Sequence, residues 1–235
     1  MGADAHLDWQ AAAASALAWW QEAGVDTLVD EEPRDWLAAP APLVRTAPVA
    51  VADALPATLD AWHDWRYGAT APEAAWAGGW MPASGPHDAA VMVLVDCPDR
   101  DDRDSLLSGA PARLFDRMLA AIGLTREAVH LAALCAKRPT AGRLPGEASE
   151  RLSELALHHI GLVAPKRLLV LGNAASRAIL ATDVAPARGR YHSLNHDGGS
   201  TEVVASFHPR FLLEKPAAKA GAWADLQRLI RGLGE

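Results

Sequence analysis

The sequence predicts an α/β fold three layers deep, with helices on both faces of a central four-stranded parallel sheet. Three observations predict it. Residues Ala90-Val91-Met92-Val93-Leu94-Val95 form an unbroken apolar run, the pattern of a strand buried on both faces. From residue 90 onward such runs alternate with segments of helical periodicity, the order that gives parallel strands joined by helical crossovers. Each run stops at a polar or turn-forming cluster: Asp96-Cys97-Pro98, Cys135 to Pro139, Gly172-Asn173 and His208-Pro209-Arg210. Ligands of such sheets bind beyond the carboxyl ends of the strands, so these four clusters are the places to look for chemistry.

In chain order, residues 5 to 23 carry Leu7, Ala11, Ala14, Leu17, Ala18 and Trp20 near helical spacing, with Gly24 as a C-cap. Asp30-Glu31-Glu32 and a Pro- and Ala-rich stretch from Pro33 to Pro56 follow, which reads as an arm with little regular structure. We therefore expect residues 1–56 to be an N-terminal helix and acidic arm, and residues 57–235 to be the α/β domain. A short helix from Leu59 to Trp65 and a loop with Pro72, Gly78, Gly79, Pro82 and Pro86 precede the first strand. After that strand a helix starts near Pro111, a good first-turn residue, and ends at Gly123. The second strand is Val129 to Leu134, and its helix runs from about Glu147 to Leu162. The third strand, Arg167 to Leu171, feeds a helix from Ala174 to Leu180. A turn through Arg188, Gly189 and Arg190 leads to the fourth strand, Glu202 to Phe207, and a closing helix spans about Ala217 to Leu233.

Composition narrows the class. Of 235 residues half are apolar and 22% charged, a globular balance that excludes global disorder, collagen and coiled coil. No apolar run reaches the roughly 18 residues of a membrane span. Met1-Gly2-Ala3-Asp4 places acid where a secretory leader places base, so a soluble cytoplasmic protein is expected. Cys97 and Cys135 are too few for a disulfide framework or a four-cysteine cluster and read as intracellular thiols. The net charge of −7 hides an asymmetry: residues 1–110 hold 5 Lys/Arg against 18 Asp/Glu, whereas residues 111–235 hold 17 against 11. A basic back half suits a protein that meets a polyanion with one face, although an unevenly charged surface gives the same count.

Two strand ends carry groups with catalytic potential. Asp96, closing the first strand, can orient water or stabilise positive charge developing on a sugar, or it can simply cap local backbone. His208, closing the fourth, can donate a hydrogen bond to a leaving group that becomes anionic; a lone histidine after a strand also serves as structure.

His208-Pro209-Arg210-Phe211-Leu212-Leu213 resembles the His-Pro-x-x-Leu-Leu motif of uracil-DNA glycosylases, particularly their iron-sulfur-bearing fourth family. Leu114-Phe115-Asp116-Arg117-Met118-Leu119 resembles that family's first helix, and Arg138-Pro139 the end of its Lys-Cys-Arg-Pro stretch. Ala164-Pro165-Lys166-Arg167 with Leu168 to Gly172 is similar to its third strand, and Arg188-Gly189-Arg190-Tyr191-His192 to its Arg-Gly-Arg-Trp-His. The resemblance spans about residues 90 to 232.

It implies a base flipped out of DNA and released by hydrolysis of its N-glycosidic bond. Asp96 and His208 would carry the chemistry, His208 bonding the uracil carbonyl as charge builds there. Cys97, Pro98, Leu107, Ala133 and Asn173 would form the base pocket. Lys137, Arg138, Arg190, Arg210 and Phe211 would meet DNA, the cations on phosphate and the ring as a wedge.

The departures fall on the same residues. The family's Gly-Glu-Ala-Pro-Gly corresponds to Val95-Asp96-Cys97-Pro98-Asp99, which keeps an acid one methylene shorter and loses both glycines. The base-reading asparagine falls on Ala133 and the stacking phenylalanine near Leu107, while Asp99, Asp101, Asp102 and Asp104 set negative charge against phosphate. No cysteine precedes Cys97, and the later two cluster ligands fall on Lys137 and near Leu152, so no iron-sulfur cluster and no other cofactor is expected. His192 and His196 have metal-like spacing without a third ligand, and no metal is expected either. These features describe a divergent, weak glycosylase acting on DNA. The alternatives are a catalytically inactive module binding DNA, or a protein partner through residues 1–56 with Trp19, Trp20 and Trp36, and a thiol hydrolase pairing Cys97 with His208.

Overall fold

The computed structural model describes residues 9–22, 55–140, 142 and 144–233. The chain divides into two compact units, Met1–Val51 and Ala52–Glu235. Of the first, the described part is helix α1 (Trp9–Glu22), an alanine-rich segment whose Trp19 is 66% exposed. Trp36 and most of the Pro- and Ala-rich arm lie outside the described residues.

The second unit contains α2 (Leu59–Arg66), β1 (Val91–Val95), α3 (Gly109–Ala121), β2 (His130–Ala133), α4 (Gly146–Val163) and β3 (Arg167–Leu171). It continues with α5 (Asn173–Leu180), α6 (Val184–Ala187), β4 (His192–His196), β5 (Gly199–Ser206), α7 (Pro209–Glu214) and α8 (Lys219–Ile230). The sheet order is β2-β1-β3-β5-β4. The first four of these strands are parallel, as expected; the register runs Ala133↔Val95, Val95↔Leu171 and Leu171↔Ser206.

The period of two along each strand sorts side chains into two cores. Val91, Val93 and Val95 face one core with Leu169, Leu171, Val204 and the helix residues Phe115, Leu119 and Leu226. Met92 and Leu94 face the other with Leu168, Val170, Leu152, Leu155 and Ile160. Each such fully buried side chain contributes about 1.5–3 kcal/mol. The three layers follow directly, because no strand in the middle of the sheet has a wet face.

The sheet has one strand more than the sequence predicts. β4 pairs antiparallel with β5 through a two-residue turn, Asp197-Gly198, in the stretch that the sequence reading leaves between the turn at Arg188 to Arg190 and the strand from Glu202. As an edge strand it reads His-Ser-Leu-Asn-His and needs no apolar run. Gly198 is required there: a Cβ would stand 2.3 Å from the Gly161 carbonyl oxygen of α4. At the opposite edge, Ser84 exchanges backbone hydrogen bonds with Leu131 and covers β2.

Residues 68–87 have little regular structure yet are fixed to the end of β2. Arg66 donates to both oxygens of Glu73 at 2.6 and 2.5 Å, and Glu73 also accepts the Ala136 amide at 2.9 Å. Both members of the pair are buried. Such a pair is held by its extra hydrogen bonds, and deleting one partner strands a charge at about 3–5 kcal/mol. Toward the opposite edge of the sheet, Asp225 of α8 accepts from Arg188 Nε at 2.6 Å and from Ser206 Oγ at 2.8 Å, tying α8 to β5.

Candidate active site

The carboxyl ends of β1, β3 and β5 meet at one rim. Asp96 follows β1 directly, and its carboxylate reaches sideways to the first turn of α5, accepting the Ala175 amide at 2.7 Å. The N-cap of that helix is Gly172, which has no side chain to cap with, so a residue 76 positions earlier does so. Gly172 makes room: φ is +116° and a Cβ would lie 2.4 Å from the Asp96 carboxyl carbon. Burial raises the Asp96 pKa above the usual carboxylate range, opposed by the amides of Ala175, Ala174 and Asn173 and by Arg177.

A cleft of about 430 Å³ opens beside this carboxylate, a volume within the range of small-ligand sites. Asp96, Cys97, Cys135, Ser149, Asn173 and Arg177 are among its walls. Cys135, Ser149 and Arg177 are additions to the pocket residues expected from sequence. Arg177 lies one helical turn beyond Asn173, a spacing that was visible, and it is ion-paired with Asp183. Asn173 Oδ1 accepts the Val184 amide at 3.1 Å, so its carbonyl end joins α5 to α6.

His208 is the N-cap of α7, and its Nδ1 accepts the Arg210 amide at 3.2 Å. An accepting Nδ1 carries no proton, so the neutral ring holds its proton on Nε2. Desolvation pushes the pKa down to about 4, opposed by the carboxylates of Asp99 and Asp102. The imidazole is therefore neutral at pH 7, a donor through Nε2. β3 separates the strands that carry Asp96 and His208, and His208 is not among the cleft walls.

Between them runs the acidic loop, whose charges are largely spoken for. Asp102 accepts three amides, from Asp99 at 2.8 Å, Leu107 at 3.2 Å and Ser108 at 2.6 Å, and so forms the loop's internal frame. Leu107 adopts φ +54° and is buried in the core beside Phe115, not in the cleft. Asp99 pairs with Arg210 and, at 3.6 Å, with Arg138. Arg138 also donates to the carbonyl of the buried Pro98 at 3.0 Å. The acids expected to oppose phosphate thus neutralise two arginines expected to bind it.

Lys137 departs furthest from expectation. It is 8% exposed, donates to the Ala74 and Trp76 carbonyls at 3.0 and 3.2 Å, and places Nζ 4.3 Å from the Trp80 ring centre. Its charge serves the loop 68–87 and is not available to a phosphate. Arg190 is exposed, with no ion pair among the described residues. Phe211 is 38% exposed and packs on Phe207 with ring centres 4.8 Å apart. Ala133, half-buried, closes β2 next to Val95.

The thiol reading fails on chemistry. Burial and the Asp96 charge push the Cys97 thiol up to about 11, and burial drives Cys135 higher still, so neither is a ready nucleophile. His192 and His196 lie on β4 and bond to the Ala187 carbonyl and the Thr201 hydroxyl, each at 2.8 Å.

Comparison with known proteins identifies the family. The family model "Uracil DNA glycosylase superfamily" matches residues 82–227. The chain is similar to the type-4 uracil-DNA glycosylase of Archaeoglobus fulgidus, 24% identical over 159 residues, which is 64% of this chain and 80% of that protein. It is also similar to the type-4 uracil-DNA glycosylase of Pyrobaculum aerophilum, 24% identical over 161 residues, covering 65% and 82%. The matched region contains both the cleft and His208.

Proposed function

The chain belongs to the uracil-DNA glycosylase superfamily, and from that premise we propose that it hydrolyses the N-glycosidic bond of uracil or a related damaged base in DNA, slowly. The observation that carries this reading is His208. The Arg210 amide on Nδ1 leaves Nε2 as the proton-bearing nitrogen, and the low pKa keeps the ring neutral. Its Nε2–H then donates to a base carbonyl as the glycosidic bond breaks and the base takes the electron pair. A donor placed where charge develops is worth on the order of 3 kcal/mol of barrier.

Asp96 supplies the complementary charge. Its carboxylate stabilises the oxocarbenium-like sugar and orients the attacking water, while the amides of α5 hold it in position. Slowness follows from three features. The amides of α5 compete for the Asp96 charge, Ala133 offers no hydrogen bond to a base edge, and Asp99 occupies Arg138 and Arg210. Arg190 and Phe211 remain for the DNA surface.

The same features favour a second reading, a module of this fold that binds DNA or a protein without cleaving. In that reading residues 1–56 dock the partner, and α1 contributes Trp19. One experiment separates the two. Single- and double-stranded oligonucleotides carrying uracil, hypoxanthine or related bases are incubated with wild type and His208→Ala, at several salt concentrations. Slow release that disappears in His208→Ala supports the enzyme. Salt-dependent binding with no release from any substrate overturns it in favour of the module.

A further inference from the structure

Away from the rim, three imidazoles from three elements converge at the amino-terminal end of β2. His63 comes from α2, His130 opens β2, and His159 lies near the end of α4. One ring nitrogen of each lies within 4.8 Å of the other two. His130 and His159 are buried and His63 is half-buried.

The hydrogen bonds set the direction of the lone pairs. His130 Nδ1 is 3.0 Å from the Pro86 carbonyl, which can only accept, so Nδ1 carries the proton and Nε2 presents its lone pair. That Nε2 is 3.0 Å from Nε2 of His159, which in the metal-free protein donates its proton there; on coordination the proton moves to His159 Nδ1 and both Nε2 lone pairs face the ion. His63 Nε2 is buried with no hydrogen-bond partner. A ligand histidine whose other nitrogen donates to a backbone carbonyl is the usual supporting arrangement of a metal centre. A buried nitrogen left unpaired is costly in an apoprotein and is satisfied by coordination.

We propose that His63, His130 and His159 bind one divalent transition-metal ion of the zinc class. Nitrogen donors without a carboxylate suit Zn²⁺, Co²⁺, Ni²⁺ or Cu²⁺, and not Mg²⁺ or Ca²⁺. A tetrahedral ion with bonds of about 2.0–2.1 Å sets its ligand nitrogens roughly 3.4 Å apart. The His130–His159 pair therefore opens by a few tenths of an ångström, and His63 closes on them by a rotation of its half-buried ring. The ion would fasten α2 and α4 to the edge strand. Its role is structural, because β2 leads away from it toward Cys135 and the cleft.

The test uses the full-length protein, stripped with chelator and titrated with Co²⁺ near neutral pH. The expected result is one equivalent bound, with the visible band of tetrahedral Co²⁺, bleached by one equivalent of Zn²⁺, and a higher melting temperature with Zn²⁺. His63→Ala and the bulkier His63→Gln should both fold in chelator and should both weaken Co²⁺ binding by at least about 100-fold, with loss of the band. Absence of stoichiometric binding to wild type, or unchanged binding in a folded His63 variant, would show that the three rings merely pack together.

Discussion

The two sides of the β1–β5 rim hold similar residue types to different ends. Asp96 and His208 each close a parallel strand and each meet the amides of a following helix. Asp96 spends its carboxylate on the first turn of α5, whereas His208 uses one ring nitrogen on α7 and keeps the other. A capping contact therefore immobilises a reactive group when that group has a second functional atom, and competes with it when the same charge must do both jobs. In the proposed reaction His208 is the poised member and Asp96 the restrained one.

The largest expected effect is on that difference. His208→Ala should reduce single-turnover base release by 10²–10³-fold, about 3 kcal/mol, while Asp96→Asn should lose less, because α5 already competes for its charge. Equal losses would erase the distinction between the two sides. Gly172→Ala should destabilise the protein by about 2–3 kcal/mol, because it combines a left-handed backbone with a collision against Asp96. Urea titration measures this. The cost should shrink by at least about 1 kcal/mol when Asp96 is also changed to Ala, and an additive cycle would show that the carboxylate is not what the glycine accommodates.

The acid response sharpens the His208 side. Its pKa is about 4 folded and 6.5 unfolded, so the unfolded chain binds the extra proton between these values and stability falls as the pH falls through that window. From pH 7 to pH 5 the loss attributable to this ring is about 2 kcal/mol, and His208→Asn should show a correspondingly flatter decline in thermal stability. The smallest effect concerns the loop. Asp99→Asn should release Arg138 and Arg210 and tighten DNA binding severalfold, with a salt dependence steeper by one or two phosphate contacts in fluorescence anisotropy.

How much of this was legible in the sequence depended on whether the signal was local. Val91 to Val95 and Leu168 to Leu171 announce buried strands because every residue is apolar, and Asp96 is found by standing just beyond the first of them; His208 follows a mixed strand, Glu202 to Phe207, and is found with its His-Pro-x-x-Leu-Leu motif. β4 carries no such run, since an edge strand wets one side; the Asp197-Gly198 pair, a strong hairpin signal, was the available clue. The side-chain partners were not legible. Lys137 next to Arg138 looks like a phosphate contact until Ala74, Trp76 and Trp80 close over it. Asp102 looks like one acid among four, yet it alone accepts the three amides that shape the loop. His63, His130 and His159 are too far apart in sequence for any ligand spacing to connect them.

The Arg66–Glu73 pair has a consequence for motion. Its carboxylate holds the Ala136 amide, and Arg66 also donates to the Leu134 carbonyl at 3.3 Å, so residues 68–87 are pinned to backbone inside the sheet layer. A segment with hardly any helix or strand of its own should therefore open only when β2 opens. In hydrogen exchange the Ala136 amide should be as slow as the central strands, and a protease should find the irregular segment a poor target until the domain melts as one body.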